Sequence, residues 1–170
     1  QIDSEYKYYI NQKLKNSIHI DEIMKLLEEY KNINGIKKIR KADNIFVYIV
    51  VDNKIFDLKY IELFINKIKD LNWETYINGT KIYFLPKDLK KSTAIKYICD
   101  KFDYKNTFAI GDSIMDKDML NFCKNSYLLK HGDLVNSLDK ENKYLISREC
   151  GFRGSEEILK HIISYKENTI

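Results

Sequence analysis

This sequence has few cysteines, no long apolar run and no large excess of charge of either sign. The three cysteines, Cys99, Cys123 and Cys150, are odd in number, widely spaced and form no C-x-x-C pair. This pattern argues against a disulfide or zinc framework and predicts reduced thiols in a cytoplasmic protein. The sequence contains no run of about 18 apolar residues, so no transmembrane helix is predicted. No signal peptide is recognisable, but the chain begins at Gln1 rather than Met, so we expect it to be a piece of a longer protein.

The small net charge gives little support for nucleic-acid binding. Lys and Arg number 29 against 25 Asp and Glu, which leaves a net charge of +4. A basic segment lies near Tyr48 and comprises Lys37, Lys38, Arg40 and Lys41. A solvated basic turn explains this segment better than a nucleic-acid surface does, because the net charge is so low. With 44% hydrophobic and 32% charged residues, the 170 residues have the composition of a globular protein of one or two domains.

Residues 1–86 are predicted to form an α+β layer with an antiparallel sheet. The pattern favours a short helix or an extended lead-in over Gln1–Ser17, then a helix from Asp21 to about Lys31 that stops at Asn34-Gly35. Two strands, a helix and a hairpin follow, at Ile36–Arg40, Ile45–Val51, Asp57–Leu71, and Trp73–Ile77 with Lys81–Leu85. The dipeptide Asn78-Gly79 between the last two strands is a strong hairpin signal.

After Pro86 the pattern changes to alternating helices and strands, which indicates a parallel sheet. The predicted helices are Ser92–Phe102, Asp116–Cys123, Asp133–Leu138 and Ser155–Tyr165, the last capped by Ser155 after a turn at Gly151–Gly154. The predicted strands are Thr107–Ile110, Ser126–Leu129 and Tyr144–Ile146. Residues 87–170 are therefore predicted to form a separate α/β domain.

Two carboxylates follow the first of these strands. The apolar run Thr107–Ile110 ends at Gly111, and Asp112 and Asp116 come directly after it. The carboxyl end of a strand is where open α/β sheets place ligands. Two acidic side chains at this point can hold a hard divalent cation such as Mg²⁺ through oxygen ligands. The alternative is that Asp112 only caps the next helix.

The residues before this strand, taken together with those after it, resemble the motifs of a known family. Lys91-Ser92-x-Ala94-Ile95, followed by Gly111-Asp112-x-x-x-Asp116 and Met119-Leu120, resembles the third and fourth motifs of the haloacid dehalogenase superfamily. The resemblance is greater to its Cof-type and sucrose-phosphatase-like branch, in which the pattern reads K-G-x-A-L … G-D-x-x-x-D-x-x-M-L. Ser92 stands where that branch has Gly. The second half of the chain matches the family motifs closely, whereas residues 1–86 resemble the family only in having the general architecture of a cap.

The resemblance implies a fold and an activity. The fold would be α/β, with half of a Rossmann-like core and its parallel sheet in residues 87–170. Residues 1–86 would be a C2-type cap, although an ordinary small α+β domain is the plain alternative. The activity would be Mg²⁺-dependent hydrolysis of the phosphoric monoester of a small phosphorylated metabolite through an aspartyl-phosphate, in the cytoplasm.

The resemblance also implies roles for named residues. Asp112 would hold Mg²⁺, and Asp116 would be a second ligand or would fix the waters on the metal. Lys91 would neutralise phosphate charge and keep the nucleophilic carboxylate ionised, with Lys90 as its rival. Ser113 would donate a hydrogen bond to a metal-bound group or to the phosphate, unless it only caps the turn.

Asp118 and the three histidines receive less specific expectations. Asp118 is expected to face solvent, since helix geometry directs it away from Asp112. His131 follows a predicted strand and either contacts substrate or closes a loop, and the loop is favoured. His19 and His161 have no acidic or cysteine neighbours at ligand spacing and receive no functional role.

The attacking residue of the family is missing from the sequence. The family's nucleophile lies in D-x-D-x-T/S after an amino-terminal strand, but Asp3-Ser4-Glu5 follows no apolar strand and Asp52-Asn53-Lys54 has Lys for the second acid. No second motif with its Ser or Thr is found either. We therefore expect this chain to be inactive alone and to require an upstream segment. The alternative is a catalytically inactive relative that serves as a binding or regulatory module.

Overall fold

The computed structural model describes residues 2–138 and 143–167 and divides the chain into two compact units, Gln1–Leu89 and Lys90–Ile170. The first unit contains helices α1 (Ile2–Lys13), α2 (Ile20–Glu28) and α3 (Glu62–Asp70) and strands β1 (Ile36–Ala42), β2 (Phe46–Val51), β3 (Trp73–Asn78) and β4 (Lys81–Pro86). The second contains helices α4 (Lys91–Phe102), α5 (Lys117–Phe122) and α6 (Gly151–Glu167) and strands β5 (Phe108–Gly111), β6 (Asn125–Leu128) and β7 (Leu145–Ile146). Within the described ranges no helix is long and apolar enough to cross a membrane.

The first unit is an antiparallel sheet of order β1-β2-β4-β3 that packs on helices. Alternate residues of β2, such as Val47 and Ile49, are buried, because successive side chains of a strand point to opposite faces. The helices α2 and α3 contribute Ile23, Leu27, Phe64 and Ile68 to the same core. The predicted hairpin at Asn78-Gly79 is confirmed, and the first predicted helix is present as α1.

The second unit is a parallel sheet of order β5-β6-β7 with three helices, which confirms the predicted α/β pattern. Its core comprises Ala109, Leu120, Cys123, Leu128 and Leu134. Strand β5 lies at the edge of the sheet and pairs with β6 alone among the described residues. The carboxyl ends of β5 and β6 therefore lie at one edge of this sheet, and the loops that follow them meet there.

Several helix starts differ from prediction, either in the residue that caps them or in their first turn. Helix α2 begins at Ile20, not Asp21, since His19 Nδ1 accepts a hydrogen bond from the backbone N–H of Asp21 at 3.3 Å. The predicted helix from Asp57 begins as a short 3-10 turn, Leu58–Ile61, before α3. The predicted helix from Asp116 likewise begins as a 3-10 turn, Ile114–Asp116, before α5.

The predicted start of the last helix is also wrong. Residues Gly151–Gly154 form the first turn of α6 instead of a separate turn, so Ser155 is not the cap. The carboxylate of Glu157 accepts hydrogen bonds from the backbone N–H groups of Arg148 and Glu149 at 2.9 and 3.1 Å. A side chain at Gly154 would overlap the carbonyl of Glu149, so this glycine serves close packing and not helix termination.

Candidate active site

Asp112 lies directly after β5 with its carboxylate open to solvent. Strand β5 is anchored on β6, where the Leu129 N–H donates to the Gly111 carbonyl at 2.9 Å. The Asp112 side chain is 50% exposed, and no hydrogen bond to its carboxylate is present among the described residues. The imidazole of His131 lies nearby, with its Nε2 3.9 Å from Oδ2. The carboxylate oxygens of Asp112 are therefore available to an external ligand.

Asp116, in contrast, is buried and fully engaged. Its Oδ2 accepts hydrogen bonds from the backbone N–H groups of Asp112 and Ser113, both at 3.1 Å, and lies 3.3 Å from Ser113 Oγ. Its Oδ1 accepts from Nζ of Lys91. A Cβ at Gly111 would lie 2.6 Å from Cβ of Asp116, so glycine is needed for this side chain to fold back beneath the turn.

The electrostatics keep Asp116 ionised in spite of its burial. Burial alone raises the pKa of Asp116, because the charged form loses solvation. The hydrogen bond from Lys91 and those from the backbone of Asp112 and Ser113 lower it, and the net pKa lies below the ordinary 3.8. Asp116 is therefore ionised at neutral pH and holds the Lys91 ammonium beside the Asp112 turn.

Of the two candidate lysines, the structure brings Lys91 to the site. Lys91 is the first residue of α4, and its side chain stays 53% exposed while Nζ contacts Asp116. Lys90 precedes the helix, is exposed, and makes no ion pair among the described residues. An ammonium group with one carboxylate partner and an open side is suited to contact an anionic ligand.

The prediction that Asp118 faces solvent is wrong. Asp118 is half-buried, and its Oδ2 accepts a hydrogen bond from the backbone N–H of Ser92 at 2.9 Å. The reason is the start of α4: its cap position is Lys90, whose side chain has no acceptor, so the first N–H groups need one from elsewhere. The lack of a capping side chain at Lys90 is the feature of the sequence that indicates an acceptor from another element at the start of α4.

Ser113 is placed by the structure in the turn itself. It is buried, and it forms a reciprocal capping box with Asp116 around the Ile114–Asp116 turn. This geometry matches the turn-capping alternative, since the hydroxyl already lies 3.3 Å from Asp116 Oδ2.

The donor set at this corner has a limited fit to a metal ion. No group of three or more His, Cys, Asp or Glu side chains that suits a metal is found in the described part of the chain. Asp112 offers two unengaged oxygens, whereas both oxygens of Asp116 have partners. Mg²⁺ keeps several waters and is commonly bound through one or two carboxylates, so Asp112 fits it as one ligand of a shared site.

His131 lies beside Asp112 and contacts the start of α6. Its Nδ1 accepts a hydrogen bond from the Gly151 backbone N–H at 3.1 Å, which agrees with the loop-closing alternative. The neighbouring Asp133 accepts from the Ile114 N–H at 3.0 Å, so the loop after β6 is joined to the Asp112 turn. His131 and Asp112 are distant along the chain but meet here, because their loops follow the paired parallel strands β6 and β5.

Comparisons with known proteins give a consistent picture. A family model described as haloacid dehalogenase-like hydrolase matches residues 1–144. A protein of Streptococcus pyogenes serotype M6, whose name marks it as a proposed phosphatase, is 36% identical over 75 residues, which cover 42% of this chain and 27% of that protein.

Solved structures show the fold of this chain in other proteins. The sucrose-phosphatase of Synechocystis sp. PCC6803, determined with sucrose and phosphate, has a TM-score of 0.68 at 12% identity, over 91% of this chain and 66% of that one. A Thermoplasma acidophilum protein has a TM-score of 0.58 at 15% identity, over 82% and 60% of the two chains. At these identities the likeness shows the fold alone. The chain spans less than two thirds of the length of each of these three relatives.

Proposed function

This chain belongs to the haloacid dehalogenase-like hydrolases, and from that premise we propose that it supplies the cation-binding and phosphate-neutralising half of a phosphatase. The proposed reaction is Mg²⁺-dependent hydrolysis of the phosphoric monoester of a small phosphorylated metabolite. The observation that carries the proposal is the shared anchor: buried Asp116 bonds to Lys91 and to the backbone of Asp112. This anchor holds the partly exposed ammonium group of Lys91 and the exposed carboxylate of Asp112 near the carboxyl end of β5.

Asp112 is proposed as the residue that holds the cation. Its carboxylate is half-exposed and accepts no hydrogen bond among the described residues, so its oxygens are open to a cation. When bound, Mg²⁺ supplies positive charge against the phosphoryl oxygens. Asp116 is proposed to fix the turn and not to bind the cation directly, because its oxygens are already engaged.

Lys91 is proposed to neutralise the phosphate. Phosphoryl transfer spreads negative charge over the non-bridging oxygens, so a positioned ammonium lowers the barrier by electrostatic stabilisation. Asp116 restrains this ammonium at the site, and helix α4 provides a rigid base for it. A flexible surface lysine would lose more side-chain entropy on binding phosphate than one already restrained.

The attacking carboxylate is proposed to come from a segment outside these 170 residues. Strand β5 has one open edge among the described residues, with backbone groups free to pair with a further parallel strand. A parallel strand paired there would bring its own carboxyl end beside Asp112. A D-x-D motif at that end would supply the nucleophile for an aspartyl-phosphate and the acid that protonates the leaving group.

The test is hydrolysis of p-nitrophenyl phosphate with Mg²⁺ by the full-length protein. We expect Asp112→Asn to lower kcat/KM by about 100-fold or more, the usual cost of removing one electrostatic group at such a site. Asp100→Asn makes the same chemical change at an exposed aspartate of α4 and should leave the rate unchanged. Equal rates in the two variants would contradict the proposal. Absence of hydrolysis in the wild-type protein would instead favour a binding or regulatory module.

A further inference from the structure

The loop after β6 is tied to two parts of the second unit at once. On one side the Lys130 N–H donates to Ser147 Oγ at 3.0 Å, and the Gly151 N–H donates to His131 Nδ1 at 3.1 Å. On the other side the Ile114 N–H donates to Asp133 Oδ1 at 3.0 Å. His131 thus lies in a loop whose position is fixed from both ends, between the start of α6 and the Asp112 turn.

Gly132 allows this loop to press against Asp112. A Cβ at Gly132 would overlap the backbone carbonyl of Asp112, so no other residue fits without displacement of the backbone. The close approach places the imidazole of the preceding residue next to the Asp112 carboxylate, with Nε2 at 3.9 Å from Oδ2. Both side chains remain partly exposed, at 40% for His131 and 50% for Asp112.

The hydrogen bond at Nδ1 decides what Nε2 can do. A ring nitrogen that accepts a hydrogen bond carries no proton, so in this arrangement the proton of the imidazole is on Nε2. Nε2 is then a donor that faces a carboxylate oxygen and has no lone pair for a metal ion. His131 is therefore unsuited to be a ligand of the cation through Nε2 and suited to act on the carboxylate.

We infer that His131 is a positioning residue for Asp112: its Nε2–H donates to Oδ2 and fixes the orientation of the carboxylate, so that Oδ1 would be the oxygen left to hold the cation. The inference rests on the proposed function of Asp112. A small rotation of the half-exposed Asp112 side chain shortens the 3.9 Å separation to a hydrogen bond. Partners that orient a metal-binding carboxylate typically change metal affinity by about 10–100-fold when removed.

Two substitutions separate the two contacts of the imidazole. His131→Asn places an amide oxygen near the position of Nδ1, so it retains an acceptor for the Gly151 N–H but loses the donor toward Asp112. His131→Gln places an amide NH₂ near the position of Nε2, so it retains that donor but weakens the bond to Gly151. His161→Asn, an exposed histidine on α6, is the matched control.

The measurement is the Mg²⁺ dissociation constant of the full-length protein by calorimetry, together with the thermal midpoint of each variant. We expect His131→Asn to weaken Mg²⁺ binding about tenfold or more at an unchanged midpoint. His131→Gln should recover most of the affinity at a lowered midpoint. Unchanged affinity in His131→Asn, or equal loss of affinity and midpoint in both variants, would overturn the inference.

The Asp112→Asn background distinguishes failure of this inference from failure of the proposed function. If Asp112→Asn weakens Mg²⁺ binding and adding His131→Asn weakens it no further, the imidazole acts through Asp112 as inferred. If Asp112→Asn weakens binding and His131→Asn alone does not, the inference fails while the proposed function stands. If Asp112→Asn itself leaves Mg²⁺ binding unchanged, the proposed function fails, and the role of His131 fails with it.

Discussion

At the scale of the residue, Asp116 decides the arrangement of the candidate site. It is the buried acceptor for one ammonium group and two backbone N–H groups, and it leaves Asp112 as the open carboxylate. From the sequence, Asp112 was expected to hold the cation and Asp116 to be a second ligand or to fix the waters on the metal, but the burial of Asp116 was not predicted. Spacing alone carries no information about which of two carboxylates is buried, since that depends on the path of the turn beyond Gly111.

Substitution of Asp116 by Asn should destabilise the second unit by about 1–3 kcal/mol at neutral pH, because a buried anion with three donors is replaced by a neutral amide. The loss should depend on pH in a defined direction. Because the folded-state pKa of Asp116 lies below 3.8, its contribution is fully present above that pH and is lost as pH falls through the lower folded-state value.

Thermal unfolding at pH 7 and at pH 3 checks this expectation. The midpoint of the wild-type chain should fall more between these pH values than that of Asp116→Asn, so the two proteins should differ less in acid. The same difference at both pH values would show that the charge of Asp116 contributes nothing to folding.

Gly132 offers a second test at this scale. We expect Gly132→Ala to destabilise the fold by about 2 kcal/mol or more, because the new methyl group overlaps the Asp112 carbonyl and the backbone must shift. Gly79→Ala is the comparison: Gly79 has φ +57° and open space around it, so only about 1 kcal/mol of local conformational cost is expected. Chemical denaturation of the two variants measures the difference, and equal losses would contradict the close approach at Gly132.

At the scale of the element, the start of α4 is held by a residue of α5. Asp118 accepts from the Ser92 N–H and so connects the helix that carries Lys91 to the helix that follows the Asp112 turn. The sequence predicted both helices, and helical periodicity is sufficient for that. The contact between them was missed, because a helical wheel of α5 alone directs Asp118 outward and does not show α4 beside it.

Asp118→Ala should therefore cost about 0.5–2 kcal/mol of stability through loss of a helix cap. It should also lower phosphatase activity of the full-length protein, since Lys91 is the residue next to the released N–H. Asp118→Asn, which keeps an acceptor oxygen, should retain most of both properties. Thermal midpoints and kcat/KM of the two variants give the comparison, and a more damaging Asn than Ala would exclude the capping explanation.

At the scale of the whole molecule, much of the fold of each unit was predictable from the sequence. The α/β pattern, the parallel sheet and the hairpin were predictable because each depends on local periodicity and turn residues. Helical spacing places Phe102 on the apolar face of α4, yet its side chain is 44% exposed and stacks on Tyr104 with ring centroids 5.7 Å apart. Periodicity identifies an apolar face but not what covers it.

The chain alone should be inactive toward p-nitrophenyl phosphate, whereas the full-length protein should hydrolyse it with Mg²⁺. The physical reason is that electrostatic groups and a cation cannot replace an attacking carboxylate, which we propose to lie outside these 170 residues. The two proteins are compared by release of p-nitrophenol at equal concentration. Turnover by the chain alone, at a rate near that of the full-length protein, would show that a nucleophile lies within these 170 residues.

Lys91 and Asp112 are proposed to act on one phosphate group, and the adjacent residues Lys90 and Lys91 allow the most direct test of this role. The measurement is kcat/KM for p-nitrophenyl phosphate in the full-length protein carrying Lys91→Met or Lys90→Met. We predict a fall of about 100-fold or more for Lys91→Met and a change within about twofold for Lys90→Met, since only Lys91 contacts Asp116. Equal effects of the two substitutions, or a larger effect at Lys90, would contradict the proposed role of Lys91 in phosphate binding.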